Sequence, residues 1–313
     1  MDGMKQTVPD YYDDFVCIAD RCRHSCCIGW EIDIDDETLE KYRNVKGDFG
    51  KRLRDGIELD ECGAHFHLGE HERCPFLNQK GLCDIILTIG EENLSQICTD
   101  HPRFCSFYSD RTEIGLGLCC EEAARLLLSK ESKTEFFIFD DGEDDFPTER
   151  EQAFFAFREK LFALAQNRTK TVSARMADLQ RETGGAFPNK AFSEWADIFL
   201  SLECLDEAWR ALLLEAKENP PSEVYEQEWE NAWEQILVYF LYRHVSDPER
   251  EFAAPVLFAI LGVYMIRHLY AHLCSRSEPC METLTELCRL YSSEIEYSEE
   301  NTEKLLSILE SSV

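Results

Sequence analysis

Cys17-x4-Cys22-x3-Cys26-Cys27-Ile28-Gly29-Trp30 places four thiols within eleven residues, and the reading of the fold turns on this stretch. Thiolates are soft ligands that suit zinc and iron–sulfur clusters rather than magnesium or calcium. Four such ligands close a tetrahedral zinc site or hold one iron–sulfur cluster. Cys26 and Cys27 are adjacent, and neighbours in an extended chain point to opposite faces. A turn is therefore required before both can serve one centre, and a larger cluster or two nearby sites tolerates that better than a single ion.

Working outward, Cys74-Pro75-Phe76-Leu77, Gly81-Leu82-Cys83, Cys98-x2-His101-Pro102-Arg103 and Cys120 follow at wider intervals. Eleven of the fifteen cysteines fall between Cys17 and Cys120. Structural zinc usually shows two paired knuckles. One compact group followed by single cysteines is less knuckle-like, so iron–sulfur is the first expectation and zinc the alternative. Cys62, Cys105 and Cys119 lie outside the motif positions and read as ordinary buried thiols. His65-x-His67-x3-His71 has the look of a mononuclear site, but neutral imidazole is also an adaptable loop residue, and a solvated loop is the plainer reading.

The rest of the composition narrows the function. The chain has 62 acidic against 32 basic side chains, a formal charge of −30. No Lys/Arg-rich stripe of the kind nucleic-acid binding needs is visible, whereas a cationic, lysine-bearing partner would be attracted. The start lacks a basic segment followed by an apolar one, so no secretory signal is expected. The longest apolar run, 255–266, is shorter than the roughly 18–20 residues of a spanning helix and reads as a buried core helix. A cytoplasmic protein with no membrane partner is expected, and in that compartment dense cysteines point to metal or redox chemistry.

The expected fold is mainly α: a loop-rich, cysteine-ligated domain over 1–130, an acidic linker over 131–150, and an all-helical domain over 151–313. Within the first part, a strand at 31–35, a helix over 36–42, another beginning near Glu91 and a third opening at Cys120 are predicted. FFIFDDGEDDFPTE at 136–149 supplies a short strand and then an acidic, Gly- and Pro-punctuated break. Beyond it, Phe154, Phe157, Leu161 and Leu164 share one helix face, as do Trp229, Trp233, Ile236, Leu237 and Phe240. Such aromatic stripes are more often core than ligand groove.

With these residues quoted, the chain resembles the flagellin lysine-N-methylases, relatives of the CxxxCxxCC zinc/iron-chelating proteins. The resemblance runs through Cys17, Cys22, Cys26-Cys27-Ile-Gly-Trp30, Cys74-Pro-Phe-Leu77, Gly81-Leu-Cys83, Ile89-Gly-Glu91 with Leu94, Cys98, Pro102-Arg103 and Cys120-x-Glu-Ala-Ala-Arg125. A weaker stretch occurs at 291–301. Glu121 stands where relatives carry proline, and the chain reads as shorter than the flagellar members. The resemblance implies methyl transfer from S-adenosylmethionine to lysine amines of flagellin or another lysine-bearing protein, by an enzyme containing an iron–sulfur cluster. Cys17, Cys22, Cys26, Cys27, Cys74, Cys83, Cys98 and Cys120 are the implied metal ligands, with Cys22, Cys26, Cys27 and Cys98 foremost. Trp30 and Arg103 belong to the same motif and become candidates for cofactor contact, with packing around the cysteines as the plainer role.

The residues themselves show no methyl-donor site. No Gly-rich strand-to-helix fingerprint is present, Gly115-Leu-Gly117 being too little. Cys22-x3-Cys26-Cys27 also lacks the second gap of a C-x3-C-x2-C triplet. A methyltransferase with this sequence is not of the doubly wound type. Lysine must lose its proton before it can attack, which needs a desolvated pocket or a base. Tyr11, Tyr12, Asp13 and Asp14 could act there or form a polar arm. A non-catalytic zinc/iron-chelating or redox module is the competing reading.

Overall fold

Lys5–Pro9 forms a strand (β1) whose partners lie more than a hundred residues further on. The computed structural model describes residues 5–61, 63–139, 146–221, 229–276 and 278–311, the side chain of His71 excepted. After β1 come β2 (Asp33–Ile34), α1 (Asp36–Asn44), α2 (Gly47–Asp55), β3 (Ile57–Leu59), β4 (Ala64–Phe66), α3 (Asp84–Ile89) and α4 (Gln96–Asp100). The middle of the chain holds β5 (Arg103–Phe107), β6 (Arg111–Leu116), α5 (Glu121–Leu128) and β7 (Phe136–Phe139). Helices follow: α6 (Glu149–Ala165), α7 (Val172–Thr183), α8 (Phe192–Leu200), α9 (Glu207–Glu218), α10 (Glu230–His244), α11 (Ala253–Cys274), α12 (Met281–Tyr291) and α13 (Glu299–Glu310). A π-helical turn, Ser292–Glu296, joins the last two.

The chain divides into two compact units, Val16–Arg103 and the combination of Met1–Phe15 with Phe104–Val313. The larger unit carries a sheet of order β5-β6-β1-β7, in which β1 runs parallel to β6 and antiparallel to β7. Helices supply the rest of its core, and α11 is buried on nearly every side. By length and composition α11 could cross a membrane, but 83% of its apolar window is buried inside the protein, as expected of a helix that is hydrophobic all round. α6 begins at a capping box: Thr148 Oγ1 accepts from the Glu151 N–H, and the Glu151 carboxylate accepts from the Thr148 N–H. α7 ends at Gly184, whose φ of 73° is the left-handed conformation a helix stop favours.

The smaller unit is built on an antiparallel sheet of order β2-β4-β3. Its own core forms around Ile32, Tyr42, Leu53, Phe66 and Phe76, with the Phe66 and Phe76 rings 4.9 Å apart.

The helices over 36–42, from Cys120, and along the two aromatic stripes are present, and the apolar run 255–266 lies in buried α11. The mainly α expectation needs correction for the N-terminal part, which contains two small sheets. The helix expected near Glu91 is a short 3-10 turn, Glu91–Asn93, before α4. The stretch 131–150 is no boundary between the observed units. Phe136–Phe139 within it pairs with β1, and Thr134 Oγ1 donates to Gln235 Oε1 at 2.5 Å. The core of the acidic break, 140–145, lies outside the described residues. Of the residues that could form a polar arm, Asp13 and Asp14 are exposed on a 3-10 turn, whereas Tyr11 is not. β1 is a sheet strand, and Tyr11 is buried in the core of the larger unit, where loss of water raises its phenol well above the usual range.

Candidate functional site

In the smaller unit, backbone pairing brings the cysteine segments together. Ser25 to Ile28 form a turn closed by the Ile28 N–H donating to Ser25 O at 3.2 Å. Cys26 and Cys27 are its central residues, which meets the need for a turn between adjacent thiols. The chain then runs antiparallel to 72–74: Ile28 bridges Arg73, the Cys74 N–H donates to Cys27 O at 2.8 Å, and the Gly29 N–H donates to Glu72 O at 3.2 Å. Gly29 has φ 92°. From Cys74 the chain doubles back, with Leu77 bridging Cys83 and the Asp84 N–H donating to Phe76 O at 2.8 Å. Cys83 precedes the first residue of α3, and Cys98 sits within α4.

Six thiols interact electrostatically as a result. Cys17, Cys27 and Cys98 act on Cys26; Cys27 acts in turn on Cys74, Cys83 and Cys98. The Cys26 and Cys27 thiols share a hydrogen bond that lowers Cys27 to about 7 and raises Cys26, and the nearby Arg73 charge also favours the Cys27 thiolate. Burial pushes Cys74 up to about 12 and Cys98 up to about 11, and also raises Cys83. Cys22 donates to His24 O at 3.1 Å. Cys120 belongs to the larger unit, as do Cys105 and Cys119, while Cys62 lies outside the described residues.

Among the described residues, no three His, Cys, Asp or Glu side chains are arranged to hold a single metal ion. In donor chemistry the set nevertheless fits a thiophilic group: soft sulfur ligands gathered around Cys27. Two of the three histidines, His65 and His67, face carboxylates; the side chain of His71 lies outside the described residues. His67 Nδ1 lies 2.7 Å from Glu58 Oε1, and His65 stands between Glu58 and Glu31 at 3.6 and 3.8 Å.

Trp30 donates its indole N–H to Cys26 O, and its ring centroid lies 5.6 Å from that of His101. Burial, with Arg103 nearby, lowers His101 to about 4. Arg103 Nη1 donates to Thr99 O at 3.4 Å, one residue beyond Cys98. Several supporting residues escaped the sequence reading because they belong to no motif. Asp35 accepts from the Thr38 N–H, capping α1, and from the Gln96 N–H, fixing the start of the helix that carries Cys98, both at 2.9 Å. Burial opposes its ionisation, but these hydrogen bonds hold its carboxyl below the usual range. Arg52, Asn78 and Asp84 make a second support around Cys74 and Cys83. A polar residue beside a motif cysteine, such as Asp84, was the available signal.

The family model of the FliB lysine N-methylase C-terminal domain matches residues 115–313. The chain belongs to this family. Two curated lysine-N-methylases, from Salmonella choleraesuis and Salmonella typhimurium, are each 31% identical to it over 129 residues, 39% of this chain and 32% of theirs. The FliB-family chain thus spans about a third of the length of these relatives. The flagellar biosynthetic protein FliU of Salmonella muenchen is 30% identical over 130 residues, 39% of this chain and 76% of that protein. No solved structure matches.

The family-matched region has a buried polar assembly of its own. Glu296, on the π-helical turn, accepts from Tyr239 Oη at 2.9 Å, lies 3.3 Å from Arg243 Nε and meets His244 Nε2 at 2.7 Å. Burial opposes the charge on Glu296, but the Arg243 guanidinium keeps its pKa below the usual range. Arg243 stacks 4.9 Å from the Phe104 and Tyr297 ring centroids, and Tyr297 shares a hydrogen bond with the Cys119 thiol. Tyr239 Oη also accepts from the Leu118 N–H at 3.2 Å. The weakly matching stretch 291–301 of the FliB-family chain is thereby tied to the turn bearing Cys119 and Cys120.

Proposed function

We propose that this chain is a protein-lysine N-methyltransferase that uses S-adenosylmethionine, acts on flagellin or another lysine-bearing protein, and works in the cytoplasm. The observation that carries the proposal is the match of residues 115–313 to the FliB lysine N-methylase C-terminal domain. The methyl carbon passes from the donor sulfonium to the lysine nitrogen, and the amine proton leaves to a base or to water. The lysine must arrive neutral, because an ammonium has no lone pair.

The proposal includes an iron–sulfur cluster, supported by the chemistry of the thiols around Cys27. Cys26, Cys27, Cys74, Cys83 and Cys98, whose thiols act on one another, would hold it first, with Cys17, Cys22 and Cys120 the remaining candidates of the eight-residue set. A bound cluster would supply one-electron chemistry and cross-link the loops that present the cysteines. Around it, Trp30 braces the Cys26 carbonyl and Arg103 the turn after Cys98. The gathered thiols equally suit the competing reading, a zinc/iron-chelating or redox module without catalysis.

Anaerobic purification, iron and sulfide analysis, and co-expression with flagellin test both parts. Methyl-sized mass increments on flagellin lysines and a brown, iron-containing protein are expected. A colourless, zinc-replete protein would remove the cluster. Absence of both donor binding and methylation would leave the chelating module.

A further inference from the structure

We infer that Arg52, Asp84 and Asn78 form a positioning clamp that sets the Cys74 and Cys83 thiols for a common thiophilic group. The inference rests on the proposed thiolate site. Arg52, on α2, donates from Nη1 to Asp84 Oδ2 at 2.7 Å and from Nη2 to Pro75 O at 2.6 Å. One guanidinium therefore grips the residue after Cys74 and the residue after Cys83. The other Asp84 oxygen accepts from Asn78 Nδ2 at 2.9 Å, and Asn78 Oδ1 accepts from the Lys80 and Leu82 N–H groups at 2.8 and 3.1 Å. Apart from Arg52 on α2, the partners of the clamp lie between Pro75 and Asp84, the segment flanked by these two thiols. Stability alone does not account for the arrangement. Arg52, its side chain 46% exposed, also lies 5.2 Å over the buried Phe76 ring and so adds to packing, but its ion pair with half-buried Asp84 is partly solvated and contributes little to folding by itself. A planar guanidinium making two directed bonds does fix geometry, and residues that orient ligands govern metal affinity strongly.

The test is anaerobic reconstitution of the reduced full chain with ferrous iron and sulfide, reading the visible charge-transfer absorption and the iron retained against a competing chelator. Arg52→Ala and Asp84→Asn should each weaken iron retention about 10–100-fold, more than any shift in the unfolding curve of the metal-free chain accounts for. Lys51→Ala, on the same helix and exposed, should retain iron as the wild type does. If Arg52→Ala fails to fold, Asp84→Asn, which preserves side-chain shape, decides. Wild-type iron retention in Asp84→Asn overturns the clamp and leaves the thiolate site standing. Retention lost only in proportion to lost fold makes the three residues structural and also overturns it. A wild-type protein that takes up no iron removes the proposed site, and the clamp with it.

Discussion

Glu151 concentrates several hydrogen bonds on one side chain. Its carboxylate accepts from the Ser109 N–H at 2.8 Å, the Thr148 N–H at 2.7 Å and Thr148 Oγ1 at 2.8 Å, joining the start of α6 to the turn between β5 and β6. Burial works against the charge, but the donors prevail and lower its pKa to about 2. A folded pKa below the unfolded value of about 4.3 contributes stability that is present above that value and lost as pH falls through about 2. Glu151→Gln should cost about 1–2 kcal/mol at neutral pH. In urea titrations the gap between variant and wild type should close between about pH 5 and pH 2; a gap independent of pH would exclude the linkage. At this scale the sequence was uneven. Cysteines announce themselves because few other residues bind soft metals, so six interacting thiols were legible. Asp35, Arg52 and Asp84 were not, since one exposed acid or base resembles another until its partners are known. That Cys120 belongs to the larger unit was not legible, because proximity along the chain is no guide to which compact unit a residue joins.

Elements show the same division between local and distant causes. α6, α10 and α11 were legible because a period of 3.6 is written in consecutive residues. β1 and β5 were missed: they are short, and their pairing is set by partners far away or by a tight hairpin. Close helix packing adds a constraint that propensity alone misstates. A Cβ placed on Gly262 of α11 would stand 2.7 Å from the ring of Phe240 on α10, and Phe240 is fully buried. Helix propensity favours Ala over Gly by about 1 kcal/mol, yet Gly262→Ala should be net destabilising by about 1–3 kcal/mol through overpacking. The Phe240→Leu background should recover part of that loss in a double-mutant cycle. Glu234 of α10 makes a different junction, meeting Arg168 at 2.8 Å and Arg175 of α7 at 2.6 Å while itself fully buried. Glu234→Gln leaves the buried Arg175 with a weaker partner, and a loss of about 3–5 kcal/mol is expected. Equilibrium denaturation distinguishes this from a surface pair, whose removal costs under about 1 kcal/mol.

Across the whole molecule, the acidic excess of −30 coexists with arginines spent on internal pairs. Arg158 with Glu113 and Arg175 with Glu234 are buried, and Arg243 with Glu296 is largely so, so these positive charges are neutralised inside. What remains outward is a predominantly negative field, which should steer a cationic partner toward encounter and act on association more than on any later step. For a lysine methyltransferase, kcat/KM on a lysine-bearing protein should then fall by about ten-fold or more as ionic strength rises from about 0.01 M to about 1 M. Over that range the Debye length shrinks from about 30 Å to about 3 Å. kcat should change little, because chemistry on bound substrate occurs at shorter range than the screening. Steady-state kinetics in a chemically inert salt, with circular dichroism to verify the fold at each concentration, separates the two constants. A kcat/KM that does not respond would assign the charge to solubility alone, since a field that steers association cannot be indifferent to the ions that screen it.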